Sequence, residues 1–236
     1  MYIFKIELAD TVAEVDVLCR STQLFCKDYI TDKPAEMIVT IAEEDINTER
    51  RFTTVTEPSL PILESMALYR KLCTELAKKD IVLIHGSCVS VDGKAYLFCA
   101  PSGTGKSTHT RLWRQYLGDR AIMINDDKPL LRITDDYVMI YGTPWNGKHH
   151  LGNNISVPLK SICFLNRGNI NTIEHCNQKD GFELLLKYTF RPEDPVRMLD
   201  VLNTVTKILS CCDFWTLKCN MNPEAAKLSY ETMSQE

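Results

Sequence analysis

The chain has 236 residues, of which 44% are hydrophobic and 25% charged, and its formal net charge at pH 7 is −4. This is the composition of a globular protein, and it excludes a disordered chain, a collagen-like fibre and a coiled coil. No apolar run approaches the roughly 18 residues that a membrane span needs, and no basic block marks a nucleic-acid surface. Acidic residues directly follow the first apolar run, unlike in a signal peptide. We therefore expect a cytoplasmic protein that binds neither membrane nor nucleic acid.

The ten cysteines are the one unusual feature of the composition. No pair has C-x-x-C spacing and no pair of histidines follows at ligand spacing, so a zinc site has little support. Without a secretion signal a disulfide framework is not indicated either. We expect reduced, mostly buried thiols that pack as small apolar side chains.

The N-terminal part is rich in short β-type runs, separated by polar turns. These runs cover residues 2–8, 14–18, 23–30, 36–42 and 51–56, and they predict a small, mostly antiparallel sheet. Residues 61–79 carry apolar side chains at helical spacing and predict a linking helix. We therefore predict a small β-rich subdomain at 1–80 and a main α/β domain at 81–236.

Turn and cap signals organise the rest of the chain. Asp92-Gly93 separates two apolar stretches and predicts a β-hairpin. Asp194-Pro195 and Asn222-Pro223 each predict the start of a helix, because Asp and Asn cap helices and proline suits the first turn.

A phosphate-binding loop is predicted where the apolar run 96–100 meets a stretch of small residues and then a helix. Gly103 and Gly105 allow the backbone N–H groups to point inward at phosphate oxygens. Lys106 can reach the β- and γ-phosphates, and the hydroxyl of Ser107 can ligate Mg²⁺. The predicted nucleotide-binding residues are Ser102, Gly103, Thr104, Gly105, Lys106, Ser107 and Thr108.

Ala100 stands where the phosphate-loop pattern G-x-x-x-x-G-K-[ST] has its first glycine. The replacement costs little if the φ angle of Ala100 is negative, and on the order of 1 kcal/mol if it is positive.

Paired carboxylates follow the next apolar run, at Asp126 and Asp127. A carboxylate beside a phosphate loop is suited to Mg²⁺, and a second one can accept a proton from an attacking hydroxyl. A helix and a tight turn fill the distance from Lys106, so we predict that this strand returns beside the phosphate-loop strand.

These motifs resemble the HPr kinase/phosphorylase family and, more loosely, ATP-dependent phosphoenolpyruvate carboxykinase. The matching elements occur in the family's order over roughly residues 81–135: His85-Gly86, the 91–94 hairpin, the 102–107 loop and the strand ending at 125–127. The resemblance implies a carboxykinase/HPr-kinase-like α/β domain with a mixed sheet. It also leaves a homo-oligomer open, because true HPr kinases assemble as oligomers.

The resemblance implies phosphoryl transfer from ATP to a serine hydroxyl, with one aspartate of the pair as base. Asp126 is then the proton acceptor and Asp127 its metal-side neighbour, although the two roles can be exchanged. His85 lies by the transferring phosphate in this assignment, where it can either stabilise charge or pair with the aspartate. Thr108 stands where HPr kinases have Glu, and their substrate-holding arginine loops are not recognisable here, which puts HPr itself and the reverse reaction in doubt.

Two further segments are candidates for substrate contacts. The loop at 141–154 carries Lys148, His149 and His150, which can bind an acidic group or offset phosphate charge, although it can equally be a surface loop anchored by Trp145. Arg191 precedes a capped helix and is either an arginine finger or a partner in an ordinary salt bridge.

The sequence thus predicts an Mg²⁺- and ATP-dependent kinase whose catalytic residues are Asp126, His85 and Lys106 and whose metal ligands are Ser107 and Asp127. The acceptor is a hydroxyl on a protein, a peptide or a small metabolite. Two alternatives remain, a non-catalytic ATP sensor and a carboxykinase-like metabolic enzyme. ATP and GTP are not distinguished at this stage.

Overall fold

The computed structural model describes residues 1–53, 55–135 and 137–235. The strands there are β1 (Tyr2–Leu8), β2 (Thr11–Val17), β3 (Met37–Thr40), β4 (Ile81–Leu83), β5 (Gly86–Val91), β6 (Lys94–Cys99), β7 (Ala121–Asn125), β8 (Leu130–Ile133), β9 (Val138–Tyr141), β10 (Ser156–Arg167), β11 (Thr172–His175) and β12 (Asp213–Cys219). The helices are α1 (Arg20–Phe25), α2 (Glu43–Phe52), α3 (Leu60–Leu76), α4 (Lys106–Leu117), α5 (Gln178–Tyr188), α6 (Pro195–Ile208) and α7 (Pro223–Met233).

The N-terminal sheet has the order β1-β2-β3. The first pairing is antiparallel and the second parallel, so the sheet is mixed rather than mostly antiparallel. The strand predicted at 23–30 is wrong, because that segment begins in helix α1. The buried carboxylate of Glu64 on α3 accepts hydrogen bonds from Cys19 N and from the hydroxyl of Thr22, and so satisfies the start of α1 from a distant part of the chain.

The strand predicted at 51–56 is also wrong where the structure describes it, because helix α2 continues to Phe52. Its first turn is acidic and its last turn basic, which complements the helix dipole. The side chain of Asp45 also accepts a hydrogen bond from Ala42 N. Thr54 in this segment lies outside the described residues.

The main sheet is mixed and has the order β4-β8-β9-β10-β6-β5-β7, with β12 and then β11 attached to β10. The long strand β10 pairs antiparallel with β9 through Ser156–Pro158 and parallel with β6 and β12 further along. The hairpin predicted at Asp92-Gly93 is confirmed, since Val91 pairs with Lys94. The fold is therefore mixed α/β with a small N-terminal sheet.

Strand β7 does not lie beside the phosphate-loop strand β6, as the sequence had suggested. Strand β5 lies between them, antiparallel to both. The reason is that β6 has both edges filled, one by its hairpin partner β5 and the other by β10. β7 still runs parallel to β6, so both strands end on the same side of the sheet.

Each face of the main sheet packs against helices. Side chains alternate along β6, so Tyr96 and Phe98 pack on the side of Trp113 in α4, while Leu97 and Cys99 join a second core with Val205 in α6. The helix starts predicted at 194–195 and 222–223 are confirmed by α6 and α7. All ten cysteines are free thiols, and six of them are buried.

A third core joins the N-terminal sheet and helix α3 to the main sheet. It includes Val15 and Leu68 together with Leu130, Tyr141 and Trp145. The subdomain boundary at residue 80 stays a prediction. None of the helices in the described ranges is long and apolar enough to cross a membrane.

Candidate functional site

The predicted phosphate loop connects the end of β6 to the first turn of α4. Gly103 has φ +75° and Gly105 has φ +126°, both in the region that favours glycine. A Cβ atom built on either residue would meet nothing within 4 Å, so the space around the loop is open. Ala100 is fully buried and its φ is not positive, so alanine fits this position without backbone strain.

Lys106 begins helix α4 and is 8% exposed. Its Nζ donates a hydrogen bond of 2.8 Å to the carbonyl of Ala100, at the other end of the loop. Burial lowers the pKa of the Lys106 amine, while nearby groups, among them Asp127 and Asp126, act in the opposite direction. The lysine therefore spans the loop, and a phosphate can replace the carbonyl as its partner.

Asp126 is held by a chain of buried hydroxyls. Its Oδ1 accepts a hydrogen bond of 2.6 Å from Ser87 Oγ, which in turn lies 2.9 Å from Thr110 Oγ1 on α4. Because Ser87 donates to Asp126, Thr110 is the donor to Ser87; Thr110 lies one turn after Lys106, with its hydroxyl oxygen 3.3 Å from the Lys106 carbonyl. The predicted base is thus tied by side chains to the helix that begins at the phosphate loop.

Asp127 is surrounded by donors and cations. Its Oδ1 lies 3.3 Å from His85 Nε2, and its Oδ2 lies 4.0 Å from Lys128 Nζ. Burial tends to raise the pKa of this carboxyl, but the His85 hydrogen bond and the charges of Lys128, His85 and Lys106 outweigh it and lower the pKa below its usual value. Gly86 N also donates to the Asp127 carbonyl, at 3.0 Å. His85-Gly86 therefore contacts Asp127 through both side chain and backbone.

The polar loop after β9 packs on the two aspartates. Asn125, at the end of β7, donates to the hydroxyl of Thr143 at 3.0 Å. A Cβ atom on Gly147 (φ +72°) would lie 3.5 Å from the Asp126 carbonyl oxygen and 3.5 Å from the Asp127 side chain. These are ordinary packing distances, so it is the positive φ that favours glycine at this position.

The three substrate candidates in this loop, Lys148, His149 and His150, are exposed and directly follow Gly147. Gly147 packs against the Asp126-Asp127 turn, and these three residues follow it directly in the sequence. Their role stays a prediction. Trp145 is anchored in the core, as one of the two interpretations of the loop predicted.

Arg191 is not brought to the aspartates in the same way. Thr189 pairs with Ile84 in an antiparallel bridge, and Phe190 N donates to the Leu83 carbonyl. The chain therefore passes His85 at Tyr188 and moves away from it before reaching Arg191, which is exposed.

The donor set fits a magnesium ion that is shared with a nucleotide. Ser107 and Asp127 offer a hydroxyl and a carboxylate, which are hard oxygen ligands, and both are accessible to solvent. Across the three described ranges, no group of three or more His, Cys, Asp or Glu side chains is placed to hold a metal. A magnesium ion here would take its other ligands from phosphate oxygens and water, as it commonly does.

Two positioning residues, Ser87 and Thr110, were not predicted from the sequence. Their spacing carried a usable signal. Ser87 lies two residues after His85, at the start of β5, and thus on the same face of an extended chain. Thr110 lies four residues after Lys106 and so shares its face of the helix.

No family model and no curated protein matches the chain. Among solved structures, the HPr(Ser) kinase/phosphatase from Coxiella burnetii is similar to it over 65% of this chain and 99% of that one, with a TM-score of 0.38 and 7% sequence identity. The likeness is distant, and the functional assignment therefore rests on this chain's own residues.

Proposed function

We propose that this protein is a kinase that transfers the γ-phosphoryl group of ATP to a hydroxyl acceptor. The observation that carries the proposal is the chain of side-chain contacts from Thr110, which lies one turn after Lys106 in helix α4, through Ser87 to Asp126. It fixes a candidate phosphate-binding cation and a candidate base on one rigid frame. Phosphoryl transfer depends mainly on such positioning, together with electrostatic stabilisation.

The phosphates bind at the loop from Ser102 to Thr108. Gly103 and Gly105 turn the backbone, and the N-terminus of α4 adds the positive end of its dipole. Lys106 exchanges the Ala100 carbonyl for phosphate oxygens. The exchange is favourable because a charged partner forms the stronger hydrogen bond.

Asp126 acts as the general base. Its Oδ1 is held by Ser87, which leaves Oδ2 to accept the proton of the acceptor hydroxyl. The acceptor oxygen forms a bond to the γ-phosphorus as the bond from that phosphorus to the bridging β,γ-oxygen breaks, and ADP leaves. The proton stays on Asp126 until solvent removes it.

The carboxylate of Asp127 and the hydroxyl of Ser107 would hold the metal. The lowered pKa of Asp127 makes its carboxylate a weaker proton acceptor, which supports the metal-side role over that of a base. A magnesium ion held by these two residues would supply charge neutralisation at the phosphates. His85 holds the Asp127 carboxylate in place through its side chain. The neighbouring Gly86 holds the Asp127 backbone through a hydrogen bond to its carbonyl.

The acceptor is expected at the loop that follows Gly147, because this loop packs on both aspartates. Lys148, His149 and His150 are exposed there and suit an acceptor with an acidic group. The acceptor itself is a hydroxyl of a protein, a peptide or a small metabolite.

The experiment that tests the function is incubation of the protein with γ-labelled ATP, Mg²⁺ and a fractionated lysate. Label transferred to a peptide, protein or metabolite in an ATP-dependent manner supports the kinase. Asp126→Asn should abolish this transfer, and Asp119→Asn is its matched control, since Asp119 is an exposed aspartate after α4 and its replacement should leave the transfer unchanged. Binding of ATP with no transfer to any fraction would favour a nucleotide sensor, and transfer to oxaloacetate would favour a carboxykinase-like enzyme.

A further inference from the structure

A large cavity opens beside the phosphate loop. It lies on the β10 side of strand β6, whereas Asp126 and Asp127 follow β7 on the other side. Its volume is about 960 Å³, and Gly103, Gly105 and Thr108 form one wall. The opposite wall is formed by the ends of the parallel strands β10 and β12 and the residues that follow them. Ligands of open α/β sheets commonly bind at the carboxyl ends of parallel strands, and this volume suits a nucleotide-sized molecule.

Two strongly exposed apolar side chains line this cavity. Ile170, after β10, is 75% exposed, and Met221, after β12, is 77% exposed. Neither side chain is buried in a core, although each is large and apolar. Each of the two loops that follow β10 and β12 thus contributes one exposed apolar side chain to the cavity. Leu112 and Leu165 add apolar surface that is more buried.

The two loops are fixed to each other. Asn220 N donates to the side chain of Asn171 at 2.9 Å, and the Asn220 side chain donates to the Asn169 carbonyl at 3.1 Å. Arg167, at the end of β10, donates to the Gly103 carbonyl at 2.6 Å and so ties this wall to the phosphate loop. The walls of the cavity are therefore held together by hydrogen bonds, which reduces the entropic cost of binding.

We propose that this cavity binds the purine base and ribose of the nucleotide, with Ile170 and Met221 in contact with the faces of the base. The proposal rests on the proposed function, because it assumes phosphates at the adjoining loop. A purine has a larger apolar face than a pyrimidine. The cavity offers apolar side chains for that face and, in addition, the amide groups of Asn166 and Asn169. Lys218 also lines the cavity and can donate to a ring nitrogen or to the ribose.

The test is the affinity of the full chain for ATP and for inorganic tripolyphosphate, measured by calorimetry in Mg²⁺. The double variant Ile170→Ser/Met221→Ser is expected to raise the Kd for ATP about tenfold or more, because apolar contact with the base is lost. Its Kd for tripolyphosphate is expected to stay within about twofold, because that ligand has no base. CTP is expected to bind the wild-type chain more weakly than ATP or GTP does, and the same series ranks the two purines.

Ile38→Ser is the matched control, since Ile38 is 72% exposed on strand β3 and does not line this cavity. Its Kd for ATP should equal that of the wild type. An unchanged ATP affinity in the double variant would place the base elsewhere and overturn the proposal, while leaving the phosphate loop intact. Equal affinity of the wild type for ATP and tripolyphosphate would also overturn it. A wild-type chain that binds neither ligand would overturn the proposed function as well.

Discussion

The indole of Trp145 lies flat on the phenol ring of Tyr69, with ring centroids 3.9 Å apart and an angle of 4° between the planes. Trp145 belongs to the loop that packs on the paired aspartates, and Tyr69 belongs to helix α3. The hydroxyl of Tyr69 also donates to the Lys128 carbonyl at 2.7 Å, next to Asp127. Helix α3 therefore supports the candidate site through this aromatic pair, through the Tyr69 hydrogen bond and through the hydrogen bond from Trp145 Nε1 to the Ser65 carbonyl.

Trp145→Ala should destabilise the protein strongly. The side chain is buried, stacks on Tyr69 and donates to the Ser65 carbonyl at 3.0 Å, so its removal leaves a cavity and loses this hydrogen bond. We expect a loss of about 3–5 kcal/mol in the free energy of unfolding, measured by urea denaturation. Tyr69→Phe keeps the stack and loses only the hydroxyl, so it should cost about 1 kcal/mol. Equal losses in the two variants would show that the stack does not carry the stabilisation.

Ala100→Gly restores the residue that the phosphate-loop pattern has at this position, yet it should not improve ATP binding. The φ of Ala100 is not positive, and the side chain is fully buried against the core that contains Trp113. Glycine would add flexibility to the unfolded chain and remove a packed methyl group. We expect the free energy of unfolding to fall by about 1 kcal/mol. The ATP affinity, measured by calorimetry, should remain that of the wild type; a clear gain would mean that the loop is strained in the native chain.

His109 should make the stability depend on pH. It is 2% exposed on α4, and burial lowers its pKa from 6.5 to about 4. Between these values the unfolded chain binds a proton at His109 that the folded chain excludes. The free energy of unfolding should therefore fall as the pH is lowered from about 6.5 towards 4, by up to about 3 kcal/mol from this residue.

The measurement is urea denaturation of the wild type and of His109→Gln at pH 7 and pH 5. The amide of Gln can still contact the hydroxyl of Ser229, which lies 3.0 Å from His109 Nε2 in the native chain, and it does not titrate. The variant should lose less stability than the wild type over this interval. An identical loss in both proteins would show that His109 is not the source.

Local sequence signals predicted the Asp92-Gly93 hairpin and the starts of helices α6 and α7, because each depends on a few neighbouring residues. The order of the strands could not be predicted in this way. The position of β7 beside β5 is decided by which sheet edges remain free after β6 has paired with β5 and β10. Helix α1 was missed because the group that satisfies its start, Glu64, is more than forty residues away.

The site was predictable to a similar extent. The grouping of His85 with Asp127 agrees with the order of motifs in the sequence, and the contact is now given by a distance of 3.3 Å. The support from Tyr69 and the approach of Gly147 depend on packing between distant segments, which no local pattern records. The cavity beside Gly103 has the same origin, since it lies between the ends of strands that are far apart in sequence.

The kinase assignment depends most on Asp126, and the rate of phosphoryl transfer in Asp126→Asn tests it most directly. The amide keeps the size of the side chain and can still bond to Ser87, but it does not accept a proton. We predict that transfer of label from γ-labelled ATP falls about 10²-fold or more, while the Kd for ATP changes by no more than about threefold. A variant that transfers label at a rate close to that of the wild type, with ATP bound equally well, would contradict the assignment of Asp126 as the base.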